Sequence, residues 1–536
     1  MLDDDLNFDH GEEMPMDLEA AGGDNDDDDN ESYATASAAS QQYSVTDMGI
    51  DDVASENHPI IDDCMRTSAW PLSYGHSINV LSSSPSMSIG NWGTVSASKP
   101  PQVVFESSMS RPLIGGDTSA SSVKLSMFSS PQFSSAELPT PNRQCSTMQA
   151  GFNGINMLCG IGLLTISYAI MQGGWLSLLQ LVFFGVLAFY TGILLMRCLE
   201  SNPGSLRTYP DIGQAAFGFR GRIQISIILY LELFGACVEF LILIAGNLAL
   251  LFPNACMTFA GIHLGSHQLF TIGAALLVLP TVWHQNLTLL SYFSVGGVVA
   301  SVLVALCLLW IGVFDEVGFH AAGTPLNLSN LCATIGIYAY AFAGHSVFPN
   351  IYTSMKEPSR FPYVLVMSFV SCLLISIGVG ACGCLIFGDS IESQLTLSMP
   401  KKFVASKVAV WTMVAIPLTK YALTITPVAL SLEELLPSDL RGSYTVPVFI
   451  RSSLVLSTLV VALTVPFFAS VMALLGSLCA MLVSFIFPCA CYLSLFRGRL
   501  RKLEITSCVF VIVVGVICSV LGTCSAIAGL IAQNRA

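Results

Sequence analysis

The 536-residue chain is 53% apolar with only 11% charged residues, far below the roughly 25% charge of soluble domains, so most of it must meet lipid rather than water. The formal net charge of −14 is uneven: residues 1–142 hold 23 acids against 4 Lys and Arg, a local balance of −19 that leaves the remainder at +5. A soluble globular architecture is excluded, and no nucleic-acid partner is expected.

Residues 1–142 read as a disordered, acidic, Ser-rich cytosolic tail, with an Asp run at Asp26–Asp29 and no sustained apolar period. No charged n-region followed by an apolar core opens the chain, so no cleavable signal is expected and insertion falls to the first membrane helix. From Gln149 onward, runs of about twenty apolar residues, enough to cross a bilayer, are separated by short polar connections. We number the predicted spans 1 to 11, over 149–171, 175–198, 223–252, 268–284, 289–313, 330–355, 362–387, 404–431, 447–466, 470–495 and 506–531. Residues 143–536 thus form one all-α membrane domain.

Cytosolic loops retain Lys and Arg. Arg143 before span 1, Arg197, Arg207, Arg220 and Arg222 around the link between spans 2 and 3, Lys356 and Arg360 after span 6, Arg441 and Arg451 after span 8, and Arg497, Arg499, Arg501 and Lys502 after span 10 all fall on one side of an eleven-span chain. Connections 253–267 and 314–329 have none, and only Lys401 and Lys402 break the pattern. The N-terminus is expected in the cytosol. The sequon Asn327-Leu328-Ser329 then lies on the opposite side and Asn286-Leu287-Thr288 on the cytosolic side. Tyr209–Gly218 predicts a short amphipathic helix ending at glycine.

The seventeen cysteines show no finger spacing. Cys382 with Cys384 and Cys489 with Cys491 stand two residues apart, about 200° around a helix, so neither pair is read as a metal site. Cys256 and Cys332 fall near non-cytosolic connections, where a disulfide between them could form.

Two spans carry an interruption at matching depth. Span 1 places Gly160 and Gly162 about a dozen residues in, and span 6 places Gly344 about fourteen residues in, with Pro349 five residues later. Spans 1 and 6 are five apart, so spans 1–5 and 6–10 can be inverted repeats with the two breaks facing each other at the midplane. At such a break one half-helix offers free N–H groups to a carboxylate and the other offers free carbonyls to an ammonium, which suits a zwitterion. The alternative is that Gly160 and Gly162 merely allow close packing.

The stretches Asn153–Gly162, Tyr209–Gly218 and Tyr338–Lys356, above all Gly344-His345-Ser346-Val347-Phe348-Pro349-Asn350-Ile351, resemble the amino acid/auxin permease family. The chain is most similar to its vacuolar amino acid transporter branch, itself similar to the vesicular inhibitory amino acid transporters. The resemblance covers about residues 145 to 531. It implies a LeuT-like fold, a 5+5 inverted repeat plus one helix, and proton-coupled amino acid movement. Carried onto this sequence, it places substrate binding on Cys159, Gly160, Ile161, Gly162 and Leu163 of span 1 and on Tyr340, Ala341, Phe342, Ala343 and Gly344 of span 6, with Tyr340 and Phe342 shaping the side-chain pocket. His345 is either a titrating group or a packing residue.

Charged residues within spans mark protein interiors or water paths. Glu232 and Glu239 of span 3 and Lys420 of span 8 are such residues. Glu232 and Lys420 fall at similar depth, so a pair between them could couple protons to substrate or be a static ion pair. The expected function is a secondary active transporter of neutral amino acids at the vacuolar membrane, using protons and no cofactor; no phosphate-cradling GxxxxGK[ST] occurs and no enzyme constellation stands out. A plasma-membrane proton symporter and an amino acid sensor are the alternatives.

Overall fold

The computed structural model describes residues 145–202, 206–259, 261–283, 296–314, 317–320, 323–436 and 445–535. The expected tail, Arg143, Arg441 and the Asn286 sequon lie outside them. Among the described residues, eight helices are long and apolar enough to cross a membrane, and a ninth span is formed by a helix pair bent by 43° in span 1. The fifth and sixth predicted stretches are occupied by Gly296–Val313 and by Leu328–Ala341 followed by Phe348–Ser354.

Local chemistry explains where the helices start and bend. Span 3 is the later part of a 43-residue helix, Tyr209–Leu251. Thr208 and Asp211 close a capping box at its start and Pro210 sits in the first turn, where a missing N–H costs nothing. The predicted short helix does stop at Gly218, whose φ of 69° is open to glycine and breaks the helical path. Arg222 spans the kink to Asp211 at 3.1 Å. Span 10 is α-helical over Phe468–Leu475, widens to a π-helix over Gly476–Ile486, and returns to α over Phe487–Leu495.

Span 3 packs on span 8, the first half of span 1 on span 7, and span 6 on both the second half of span 1 and span 10. Span 11, Lys502–Arg535, lies against the π segment, with large apolar side chains such as Val520 and Ile517 exposed. Such apolar exposure fits contact with lipid. Gly336 of span 6 and Gly476 of span 10 cross with no room for a side chain: a Cβ on Gly336 would meet the Ala473 carbonyl, and one on Gly476 would meet the Gly336 carbonyl. Cys256 and Cys332 are both free rather than bonded, and Cys332 lies beside Cys518 of span 11.

One buried ion pair staples the helix ends. Arg451 donates from Nε to Glu433 Oε1 at 2.8 Å and from a terminal nitrogen to the Val282 carbonyl at 2.9 Å, tying span 9 to spans 8 and 4. Both side chains are largely buried. Removing one partner strands the other charge, at a cost on the order of 3 kcal/mol. Glu433→Gln is therefore expected to lower the thermal midpoint of the detergent-solubilised protein by several degrees, read by the loss of its monodisperse peak on heating.

Candidate functional site

The two interrupted helices run antiparallel and are joined at both ends. Before span 1, Cys145 N–H donates to Ser354 O at 3.1 Å and Lys356 N–H donates to Cys145 O at 3.0 Å, just past span 6. At the other end, Asn327 N–H donates to Gly173 O at 3.0 Å, and Trp175 and Leu176 N–H donate to the carbonyls of Thr324 and Pro325. Paired breaks related by inverted repeats demand this antiparallel register.

Between those ends both helices fail where the glycines predict. Span 1 is helical over Thr147–Leu158, passes through Cys159 and Gly160, and resumes as a 3₁₀ turn, Ile161–Thr165, before Ile166–Gly173. The Cys159 carbonyl, freed from the helix, accepts from Ser301 Oγ at 2.8 Å, and Gly162 O accepts from Thr165 Oγ1 at 3.0 Å. Span 6 stops at Ala341 and restarts at Phe348. Between them the N–H groups of Gly344 and His345 form no backbone hydrogen bond. The breaks touch, because a Cβ on Gly162 would lie 3.1 Å from Ala341 Cα.

A cavity of about 130 Å³ opens beside the contact, well beyond the ~10–15 Å³ that one water needs. Asn156, Gly160 and Gly162 of span 1, Tyr340, Ala343 and Ser346 of span 6, Glu232 of span 3, and Lys420 and Thr424 of span 8 line it, with Leu233, Ala236, Phe240 and Leu423 as the apolar wall. Asn156, Ser346 and Thr424 lie on the side of the breaks where span 1 begins, so the cavity extends toward that end. Toward the opposite end lies a buried polar cluster. Asn247 of span 3 donates to Gln394 Oε1 at 3.1 Å and accepts from Thr396 Oγ1 at 2.7 Å, holding the link between spans 7 and 8.

Expectation and geometry part company at several side chains. Tyr340 and Ala343 face the cavity, whereas Phe342 is fully buried against Gly185 of span 2 and stacks on Phe369 at 6.2 Å. Phe342 therefore does not line the cavity beside Tyr340. Phe342 follows the last helical residue, Ala341, and turns its ring to Gly185 of span 2. Cys159 is turned inward, Leu163 borders a small side pocket with Gly160, Met413 and Lys420, and Ala341 and Gly344 contribute close backbone approach, Gly344 lying against Leu158. His345 lies behind the break: Nε2 is 3.1 Å from the Ala188 carbonyl and 3.0 Å from Thr191 Oγ1, and the ring packs on Phe348. A carbonyl can only accept, so Nε2 carries the proton and His345 braces span 6 against span 2.

Glu232 and Lys420 share the cavity but form no ion pair. Lys420 Nζ donates to Asn156 Oδ1 at 3.4 Å, while Glu232 Oε2 is buried without a hydrogen-bond partner. Asn156, Ser346 and Thr424 were not singled out from the sequence. Their signal is polarity inside apolar runs near the breaks, which becomes specific only when helix rotation is known.

These features can be set beside known proteins. A family model described as transmembrane amino acid transporter protein matches residues 143–531. The chain is 52% identical over 480 residues to amino acid transporter AVT1D of Arabidopsis thaliana, covering 87% of each chain. It is 51% identical over 478 residues to amino acid transporter AVT1E of the same plant, covering 87% of this chain and 91% of that one. Among solved structures it is similar to one of Mhp1 in an inward-facing conformation, at 13% identity and a TM-score of 0.46 over 77% of this chain and 94% of that chain. The match over 143–531, together with relatives at about half identity, shows that this chain belongs to the transmembrane amino acid transporter family.

Proposed function

We propose that the chain moves neutral amino acids across the vacuolar membrane, coupled to the proton gradient, by alternating access around the breaks in spans 1 and 6. The observation that carries this reading is the meeting of two unwound segments at one cavity, where free backbone groups and few side-chain charges can receive both ends of a zwitterion. Relatives named as amino acid transporters support the substrate class. The N-terminus is cytosolic in this reading, so the cavity faces the cytosol and the Asn247–Gln394–Thr396 cluster closes the lumenal side. Protons enter through Glu232 and Lys420, whose charges line the same space as the substrate.

The test is flux into proteoliposomes under an imposed pH gradient, with a panel of labelled amino acids. Accumulation of neutral amino acids at least tenfold above a protonophore-treated control is expected. Saturable binding without accumulation would replace transport by sensing.

A further inference from the structure

Glu239 lies seven residues beyond Glu232 in span 3, nearly two turns and so on the same face, about 10 Å farther along the helix. It is wholly buried, and neither carboxyl oxygen has a hydrogen-bond partner. It does not line the cavity; the Tyr340 hydroxyl, which belongs to a lining residue, faces it. The other titratable groups around this pair are Glu232 on the same helix and Cys479 from the π segment of span 10. No cation is paired with Glu239 among the described residues. Burying an ionised carboxylate with no counter-charge is costly. Seven residues farther on, Gly246 lines a second cavity, of about 180 Å³, together with Tyr168, His267 and Gln394. Along span 3, Glu239 thus stands between the residues lining the central cavity and those lining the second one.

We infer that Glu239 is a second proton-binding carboxyl of the transport cycle, filled from the side opposite the central cavity and emptied into that cavity through the hydroxyl of Tyr340. As the protonated Glu239 carboxyl gives its proton to the Tyr340 oxygen, the hydroxyl's own proton passes to Glu232 or cavity water. Tyr340 is unchanged, and one proton has moved from Glu239 to the central cavity. The proton then has a path of its own, parallel to the substrate's, with Tyr340 as the one element common to both. The inference rests on the proton-coupled reading above.

The experiment uses the whole protein in liposomes and compares wild type, Glu239→Gln and Glu239→Asp in two assays. One is pH-gradient-driven accumulation, and the other is amino acid exchange at equal pH on both sides. Glu239→Gln mimics the neutral acid, so exchange should stay within twofold of wild type while accumulation falls at least tenfold; Glu239→Asp should retain part of the accumulation with a displaced pH profile. Wild-type accumulation in Glu239→Gln, or a folded Glu239→Gln that loses exchange as well, overturns the inference. Should Glu239→Gln fail to fold, the Glu239→Asp profile decides: a displaced profile supports the inference and one superimposable on wild type overturns it. Absence of gradient-driven uptake in wild type would instead overturn the transport reading itself.

Discussion

Replacing Gly336 by alanine is expected to prevent recovery of monodisperse protein, although the change adds a single methyl group. The new Cβ would fall on the Ala473 carbonyl, and the reciprocal contact of Gly476 with the Gly336 carbonyl leaves the two helices nowhere to move. Core overpacking costs about 1–3 kcal/mol where side chains can yield; here the obstacle is backbone, so the loss should exceed that range. Gly378 in span 7 supplies the control, since a Cβ there meets nothing within 4 Å. There the same substitution should be neutral, or stabilise by up to about 1 kcal/mol through helix propensity. Fluorescence-detected size exclusion of both variants, before and after heating, checks the pair of outcomes. A Gly336→Ala variant as stable as Gly378→Ala would show that spans 6 and 10 do not cross as described.

Lys420→Met and Glu232→Gln should each uncouple transport from the pH gradient, for different reasons. Lys420 is the cation on the cavity wall, and its bond to Asn156 joins span 8 to the first half of span 1. Methionine keeps the length and removes both charge and donor, so uptake should drop at least tenfold at every pH. Glutamine at 232 keeps the shape of the acid but cannot release a proton, and the pH dependence of uptake should flatten while symmetric exchange persists. Initial rates across a pH series in proteoliposomes separate the two patterns. Undiminished coupling in both variants would remove these residues from the proton path.

The breaks were legible in the sequence because glycine leaves a mark that does not depend on tertiary context. Gly160, Gly162 and Gly344 sit at midspan depth, where a bilayer tolerates unpaired backbone only beside protein or water. The capping chemistry at Thr208 and the stop at Gly218 were readable for the same local reason. What stayed hidden was rotation. Phe342 and His345 belong to the same motif as Tyr340, yet Gly185 makes room for the phenylalanine ring, and Ala188 and Thr191 draw the imidazole toward span 2. Glu232 and Lys420 line one cavity, but sharing a cavity does not fix pairing, and Asn156 takes the lysine. The setting of Glu239 could not be read either, since it depends on which groups the neighbouring helices turn toward it, Tyr340 of span 6 among them.

The stitching of spans 1 and 6 at both tips constrains how the molecule can work. Hydrogen bonds from Cys145 to Ser354 and from Asn327 to Gly173 bind the ends of two rods that each lack regular support only in the middle. Neither rod can swing free of the other, so flexing is confined to the few central residues that also border the cavity. A loaded and an empty centre then differ in stiffness, and the cargo itself would govern when the paired rods are able to tilt.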